Sequence, residues 1–453
     1  MTRLFLLAHR FGVAERLPRL ASSDRALLAS MSWLTVVSGV ERFAAVVQTV
    51  LVAQALGITA YGVYGLIFGT VGLVASTAGL QMGLTATVFV ARYRQSEKAK
   101  AAYVISFATR FGLAIALGFL VCTLPFSAPL SAWLLGSVPS AQAGVVAGCL
   151  LVALSVVSGV QDGIIQGFED FRSAALARLS TTLITVLLVY PAGLQFGLVG
   201  VLAVGLTGPL VKIVYLSRRQ LAHRRMCGLP DAGGGLVARD LLCSFSIPSV
   251  LVSLLVGVIG WSGSLVLSWQ VNGFDGVAIV NTGLHWRGPI LMMASVVSTV
   301  AVPAISRHYQ QIDHSAINRM LRRMIAFNGV FALLVSLALI AASPLILALY
   351  GRDFAGGTVV FGLLVLSSLP QVIAGVYMQN LVAKGRMWQQ LWLHFWLVIP
   401  LGAGYFTMVP RFHSIGFAVT YLVGWSTFAV ALAMFSRIDE ELLTADGSLV
   451  QVS

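Results

Sequence analysis

Long apolar stretches recur along the whole chain, and they limit its possible folds more than any other feature. Twelve of them approach or exceed the ~20 residues that a helix needs to cross a bilayer. None shows the alternation of apolar and polar residues that is typical of a barrel strand. The spans should therefore be helices, in which every backbone group is paired internally. The sequence therefore predicts an all-α, polytopic membrane protein with twelve transmembrane helices, at 32–56, 62–91, 102–124, 142–166, 174–193, 197–216, 244–269, 276–302, 325–349, 358–382, 389–409 and 414–436.

Composition excludes a soluble enzyme. Hydrophobic residues make up 58% of the chain and charged residues 10%, whereas soluble domains carry about 25% charged residues. No phosphate-binding loop, catalytic triad or metal-ligand cluster is recognisable, so we expect no catalytic residue, no metal and no cofactor. The four cysteines contain no CxxC pair, and we interpret them as reduced.

The basic residues indicate an orientation in the membrane. Of the 29 Lys and Arg residues, 24 lie in loops or near the span ends on one side of the predicted spans and two, Arg352 and Arg411, lie on the other. Such asymmetry places both termini in the cytoplasm of a multi-pass inner-membrane protein. Because topology accounts for the basic excess, we expect no nucleic-acid partner. Three arginines remain deep inside spans: Arg42, Arg110 and Arg287.

The two halves of the sequence match at a nearly constant offset, between 214 and 216 positions. The matches are Tyr61-Gly62-Val63 with Asp275-Gly276-Val277, Gly136 with Gly351, Gly159-Val160 with Gly375-Val376, and Gly200 with Gly416. The common offset favours a duplication that gives two pseudo-symmetric six-helix lobes around a central cavity. Chance coincidence in a glycine-rich chain is the alternative.

This duplication predicts five segments. The first three are a cytoplasmic interfacial segment at 1–31, an N-lobe with transmembrane helices 1–6 at 32–227, and a flexible cytoplasmic linker at 228–243. A C-lobe with helices 7–12 follows at 244–436, and a cytoplasmic tail occupies 437–453.

Three stretches carry a resemblance to a known family: Leu51–Leu66, Gln166–Arg172 and Leu349–Gly356. They resemble O-antigen and exopolysaccharide flippases of the multidrug/oligosaccharidyl-lipid/polysaccharide exporter superfamily. The resemblance implies transport of a polyprenyl-diphosphate-linked oligosaccharide, the polysaccharide repeat unit, from the inner to the outer leaflet by alternating access. The implied partners are that lipid-linked glycan, membrane lipids and, as a further candidate, a polymerase or export complex.

Arg42 and Arg287 are the main candidates for substrate binding. A helical rise of about 1.5 Å per residue, counted from the ends of their spans, places both near the midplane, on helices from different lobes. A guanidinium binds phosphate or carboxylate bidentately and stays charged at any relevant pH. Each arginine could instead be neutralised within the protein.

Five further residues are weaker candidates. Asn281 and Trp286 could contact sugar hydroxyls and ring faces, or serve only as helix-packing and interfacial residues. Glu41 could be an ion-coupling site or a counter-ion, and Asp162 a gate or a solvated residue at the inner mouth. Arg110 could take part in gating or extend to the headgroups.

Two other functions remain open at this stage. One is an ion-coupled drug or small-molecule antiporter of the same fold, which would use membrane carboxylates as its main sites. The other is an enzyme, a membrane polysaccharide polymerase or ligase, which would need a large outer loop that is not apparent. Since no ATP-binding loop occurs, transport should depend on an ion, potential or substrate gradient.

Overall fold

A computed structural model describes residues 22–79, 82–136, 138, 140–230, 247–310, 314–383 and 387–450. Within these ranges the regular structure is entirely helical. Short 3-10 helices occur at Leu124–Phe126 and Arg352–Gly357. The α-helices are α1 (Ser22–Leu56), α2 (Ile58–Ala78), α3 (Met82–Tyr93), α4 (Lys98–Thr123), α5 (Ser127–Leu135), α6 (Ala141–Gly167), α7 (Phe171–Met226), α8 (Ile247–Ser268), α9 (Gly273–Gln310), α10 (His314–Ala341), α11 (Ser343–Tyr350), α12 (Thr358–Leu366), α13 (Ser368–Ala383) and α14 (Met387–Val450).

In the described part of the chain, nine helices are long and apolar enough to cross a membrane. This count is three below the twelve predicted. The predicted spans 174–193 and 197–216 lie within one helix, α7, and 389–409 and 414–436 lie within α14. The predicted span 276–302 lies in α9, which is not among the nine.

Both long helices fold back on themselves. In α7, Gly197 has φ 57° and ψ −141°, outside the helical region. Thr181 Oγ1 donates a 3.3 Å hydrogen bond to the Gly208 carbonyl, although a straight helix would separate these residues by about 40 Å. In α14 the reversal falls at His413, with φ 48° and ψ −127°. Each long helix is therefore a helical hairpin with a tight turn.

Residues with positive φ recur at the spacing of the sequence matches. Gly57 corresponds to Asn272, Gly136 to Gly351, and Gly197 to His413, and all six have positive φ. The members of each pair are 215 or 216 positions apart. The two halves of the described chain therefore reverse direction at corresponding places.

Several predicted boundaries differ from the structure. The predicted span 62–91 consists of α2 and α3, and the span 358–382 divides into α12 and α13. The segment 125–141, between the predicted spans 102–124 and 142–166, contains α5. Most of the interfacial segment 1–31 and of the linker 228–243 lies outside the described residues. The first residues of the predicted flexible linker are packed against the protein, because Leu229 is buried against the core between α3 and α4.

Candidate substrate site

The two halves of the chain are joined at one end of the bundle. Thr59 Oγ1 donates a 2.6 Å hydrogen bond to Asp275 Oδ1 across the halves. Gln54 Nε2 donates a 2.8 Å bond to the Leu349 carbonyl. We call this the closed end, formed by residues 49–65 of α1–α2 and residues 274–286 and 349–354 of the second half. The opposite end, where Arg94 and Arg219 lie, is called the basic end.

Two glycines of α2 allow close approach at the closed end. A Cβ on Gly62 would overlap the Phe274 carbonyl oxygen, and one on Gly65 would overlap the Asn281 side chain. The predicted site residues Asn281 and Trp286 therefore lie in this seal. Trp286 Nε1 donates a 3.1 Å hydrogen bond to the Tyr350 hydroxyl.

Arg42 and Arg287 lie at the same level. Each is 14 residues from the closed end of its helix, Leu56 for α1 and Gly273 for α9, so each lies about 21 Å along the axis. A Cβ on Gly288 would lie 3.9 Å from Arg42 Nη1. The structure thus brings the two arginine positions together from opposite halves.

Arg42 is exposed although it lies deep within its helix. It has no hydrogen-bond or ion-pair partner among the described residues. His285, on the facing helix α9, is also exposed and lies within reach of the electrostatic field of Arg42. Since Arg42 approaches the opposite half, it lies between the halves next to the closed end.

Arg287 is in a different environment, with only 2% of its surface exposed. Its Nη2 donates to Gln371 Oε1, and its guanidinium carbon lies 4.6 Å from the centroid of the Tyr421 ring. Its Nε has no partner in the described part of the structure. Arg287 is therefore a buried cation held by a neutral amide and an aromatic face. Sequence reasoning missed Gln371 and Tyr421, because they are distant in the chain.

Asp162 is only 8% exposed and is held by two bases. Its Oδ2 accepts a 2.7 Å hydrogen bond from Lys212 Nζ and a 3.1 Å bond from Arg178 Nη2. Glu41 lies within electrostatic reach of this group and of Arg42, and its Oε1 is buried without a partner in the described residues. The two predicted carboxylates thus belong to one charged cluster.

Arg110 differs from the residues of that cluster because its side chain is exposed. It is exposed on α4, on the helix face that also carries the exposed side chains of Leu113, Leu117 and Val121. Residues at this spacing share one side of a helix. Arg110 therefore belongs to an outward-facing apolar surface in the described structure.

Each half contains an open cavity. The first, of about 350 Å³, lies between α2–α3 and α6 and includes Asp162 in its wall. The second, of about 230 Å³, lies among α9, α13 and α14. Their walls correspond at the spacing of the sequence matches: Ser76 with Leu291, Gly79 with Ala294, Ser155 with Gln371, Val156 with Val372, Gly159 with Gly375, Asp162 with Met378, and Gly163 with Gln379.

A polar cluster ties helices together at the basic end. Asp170 caps α7 by accepting from Ser173 N at 3.1 Å, and its Oδ2 also accepts from Arg219 Nη2 at 2.7 Å and His223 Nε2 at 2.8 Å. Burial alone would raise the pKa of Asp170, but these hydrogen bonds outweigh it and hold the pKa below its usual value. Asp170 falls in the Gln166–Arg172 stretch that carries the family resemblance, but its partners are not apparent from the sequence.

The fold matches solved membrane transporters. An inward-facing multidrug resistance MATE family transporter of the MOP superfamily aligns at 18% identity and a TM-score of 0.75, over 89% of this chain and 96% of the other. An outward-facing multidrug resistance MATE family transporter of the MOP superfamily aligns at 17% identity and a TM-score of 0.65, over 94% of this chain and 97% of the other. A MOP superfamily transporter from Pyrococcus furiosus aligns at 18% identity and a TM-score of 0.64, over 92% of this chain and 96% of the other. The chain is therefore a multi-pass membrane protein with a MATE-like transporter fold.

The family follows from the sequence match. Residues 27–309 match the polysaccharide biosynthesis protein family, and the chain belongs to that family. A comparison with curated proteins gave no match. The resemblance stated from the three sequence stretches is thereby confirmed for the family, and the fold is confirmed as all-helical and transporter-like.

Proposed function

We propose that the protein is a flippase that moves a polyprenyl-diphosphate-linked oligosaccharide from the inner to the outer leaflet by alternating access. The observation that carries this proposal is the position of Arg42. This residue is exposed between the halves, next to a seal that closes one end of the bundle. A diphosphate headgroup that enters from the other end would meet an unpaired guanidinium there.

The proposed topology has twelve crossings in two six-helix lobes. Splitting α7 at Gly197 and α14 at His413 adds two crossings to the nine counted helices, and α9, with 38 residues, supplies one more. The lobes would occupy 32–227 and 244–436, joined by the linker 228–243. The excess of basic residues supports an orientation in which the basic end and both termini face the cytoplasmic side of the inner membrane. The closed end then faces outward, which fits a state that receives its cargo from the cytoplasm.

The charged cluster supports a flippase over a cation-coupled drug antiporter. An antiporter that exchanges a drug for protons or metal ions needs a membrane carboxylate that is free to bind them. Asp162 already accepts hydrogen bonds from Lys212 and Arg178 through one oxygen. Glu41 lies in the electrostatic field of the same two bases and of Arg42. Arg42 itself is an exposed cation that approaches the opposite half, which suits an anionic cargo.

The test is a leaflet-transfer assay with the full chain in vesicles. The probe is a polyprenyl-diphosphate oligosaccharide with a nitrobenzoxadiazole label, and transfer is measured by dithionite quenching. We expect wild-type protein to transfer the lipid and Arg42→Gln to slow transfer at least about tenfold, because a charge-assisted contact is lost. The matched control is Arg92→Gln, since Arg92 is exposed at the basic end.

Three outcomes would contradict the proposal. One is transfer by Arg42→Gln at the wild-type rate, with equal expression. Another is transport of a cationic dye with no transfer of the lipid, which would favour the antiporter. The third is lengthening of the glycan on the probe, detected by mass spectrometry, which would favour a polymerase.

A further inference from the structure

The cavity of the second half has the surface chemistry of a sugar subsite. Trp425 and Phe428 form one side, with ring centroids 5.9 Å apart and a steep interplanar angle of 68°. Gln371 and Gln379, both on α13, also line the cavity. Aromatic rings beside amides offer both an apolar surface for ring C–H groups and hydrogen bonds for hydroxyls.

Two polar groups of this cavity lack a complete set of partners. The indole N–H of Trp425 is buried and has no hydrogen-bond acceptor in the described part of the chain. His394 is 7% exposed, and its Nδ1 donates to the Gln390 carbonyl at 2.7 Å. Because that carbonyl can only accept, the neutral ring keeps Nε2 as an acceptor. The cavity thus offers a donor and an acceptor that a ligand hydroxyl could satisfy.

Gln371 connects the cavity to an uncompensated charge. Its side chain lines the cavity and accepts from the buried guanidinium of Arg287. No carboxylate pairs with Arg287 among the described residues. Burying a cation without a counter-ion is costly unless an anion completes the site. In the first half, the corresponding cavity contains its own carboxylate, Asp162.

We propose that the cavity of the second half binds one carboxylate-bearing sugar ring of the transported glycan. The inference rests on the proposed function and specifies its substrate class. At about 230 Å³ the cavity is smaller than the roughly 300–1,000 Å³ of sites for drug-sized ligands, which suits a single pyranose ring. The ring packs against Trp425, Gln379 binds its hydroxyls, and the carboxylate replaces Gln371 as the partner of Arg287.

The test compares three defined lipids on the purified full chain in nanodiscs. They are polyprenyl diphosphate bearing one hexuronic acid, the same lipid bearing one neutral hexose, and the bare polyprenyl diphosphate. Binding is measured by titration calorimetry. We expect the hexuronic-acid lipid to bind about tenfold or more tightly than the hexose lipid, because a charge-assisted contact is added. Equal affinities for the two sugar lipids would overturn the inference.

Variants separate this subsite from the rest of the site. Arg287→Met should remove the preference for the hexuronic-acid lipid, whereas Gln379→Leu should weaken binding of both sugar lipids, because both carry the hydroxyls that Gln379 binds. Gln195→Leu, at an exposed position in the α7 hairpin, is the matched control and should keep the preference. Gln379→Leu provides the test if the charge deletion prevents folding. A preference that survives Arg287→Met, or sugar lipids that bind Gln379→Leu as tightly as wild type, would overturn the subsite, whereas wild-type protein that binds none of the lipids would overturn the proposed function itself.

Discussion

Arg42 of the first half lies against Gly288 of the second, next in sequence to Arg287. A carboxylate at position 288 would therefore pair with Arg42 and compete with an anionic cargo. We expect Gly288→Asp to lower lipid transfer about tenfold or more. Gly288→Ala should keep the wild-type rate, because its Cβ would make only an ordinary contact at 3.9 Å with Arg42 Nη1. Equal rates for the two variants in the vesicle assay would contradict this placement.

The hydrogen bond between Thr59 and Asp275 predicts a cross-link that stops transport. Its oxygens are 2.6 Å apart across the two halves. In a background whose four cysteines are replaced by alanine, Thr59→Cys with Asp275→Cys should form a disulfide under mild oxidation. Transfer should stop when the bond forms and return after reduction, because the closed end cannot open. Either single cysteine variant serves as the control. Full transfer by the cross-linked protein would show that this end does not open.

The glycines of α2 predict a second way to disturb the closed end. Gly62→Ala would place a methyl group on the Phe274 carbonyl oxygen, whereas Gly69 has nothing within 4 Å of a built Cβ. Overpacking of this kind costs about 1–3 kcal/mol. We expect Gly62→Ala to weaken the seal and Gly69→Ala to leave it intact. The measurement is maleimide labelling of Ala278→Cys, a fully buried position on α9. Equal labelling in both backgrounds would contradict the prediction.

His413 predicts a stabilising substitution. It has φ 48° and ψ −127°, a conformation in which Gly197 holds the corresponding turn. A side chain in this region costs about 1–3 kcal/mol. We expect His413→Gly to raise the unfolding temperature in detergent, and Gly197→Ala to lower it. A His413→Gly protein that melts at or below the wild-type temperature would show that the imidazole makes a compensating contact.

The cluster at Asp170 predicts acid sensitivity. The pKa of Asp170 is held below its ordinary value of 3.8, so its contribution to stability is present above that value. The contribution is lost as pH falls through the lowered pKa of the folded state. Asp170→Asn keeps a capping side chain but loses the negative charge that strengthens its hydrogen bonds to Arg219 and His223. This loss should lower the free energy of unfolding by about 1.5–3 kcal/mol at neutral pH.

Melting curves between about pH 7 and pH 3 measure this effect. The difference in unfolding temperature between wild type and Asp170→Asn should become smaller toward pH 3. The exposed residue Glu169 provides the control, as Glu169→Gln, because its contact with Arg94 is largely solvated. A constant gap across the range would show that the charge of Asp170 does not contribute.

The sequence predicts the helices and their order because bilayer thickness fixes how long an apolar segment must be. It also predicts the common level of Arg42 and Arg287, since helical rise converts residue number into depth. It does not predict their different surroundings. Which face of a helix is buried depends on the packing of distant helices, so the exposure of Arg42 and the burial of Arg287 emerge only in three dimensions.

Long-range pairing explains the other differences. Lys212 was counted with the loop residues, yet its ammonium reaches Asp162, 50 positions earlier in the chain. In the sequence the two hairpin turns are visible only as short gaps between apolar spans. A single residue, Gly197 in α7 or His413 in α14, reverses the direction of each long helix. The recurring spacing between the two halves was the stronger signal, since it reappears in the cavity walls.

The two bases around Asp162 have a consequence for the energetics of the cycle. Asp162 Oδ2 already accepts from Lys212 and Arg178, and these two positive charges disfavour the binding of an exchanging cation at this carboxylate. In the proposed orientation, the charge that crosses with each turnover is then the cargo's own. A membrane that is negative inside would drive such an anion outward, with about 2.3 kcal/mol gained per charge for each 100 mV. On this reasoning, the electrical gradient alone can make transport one-directional.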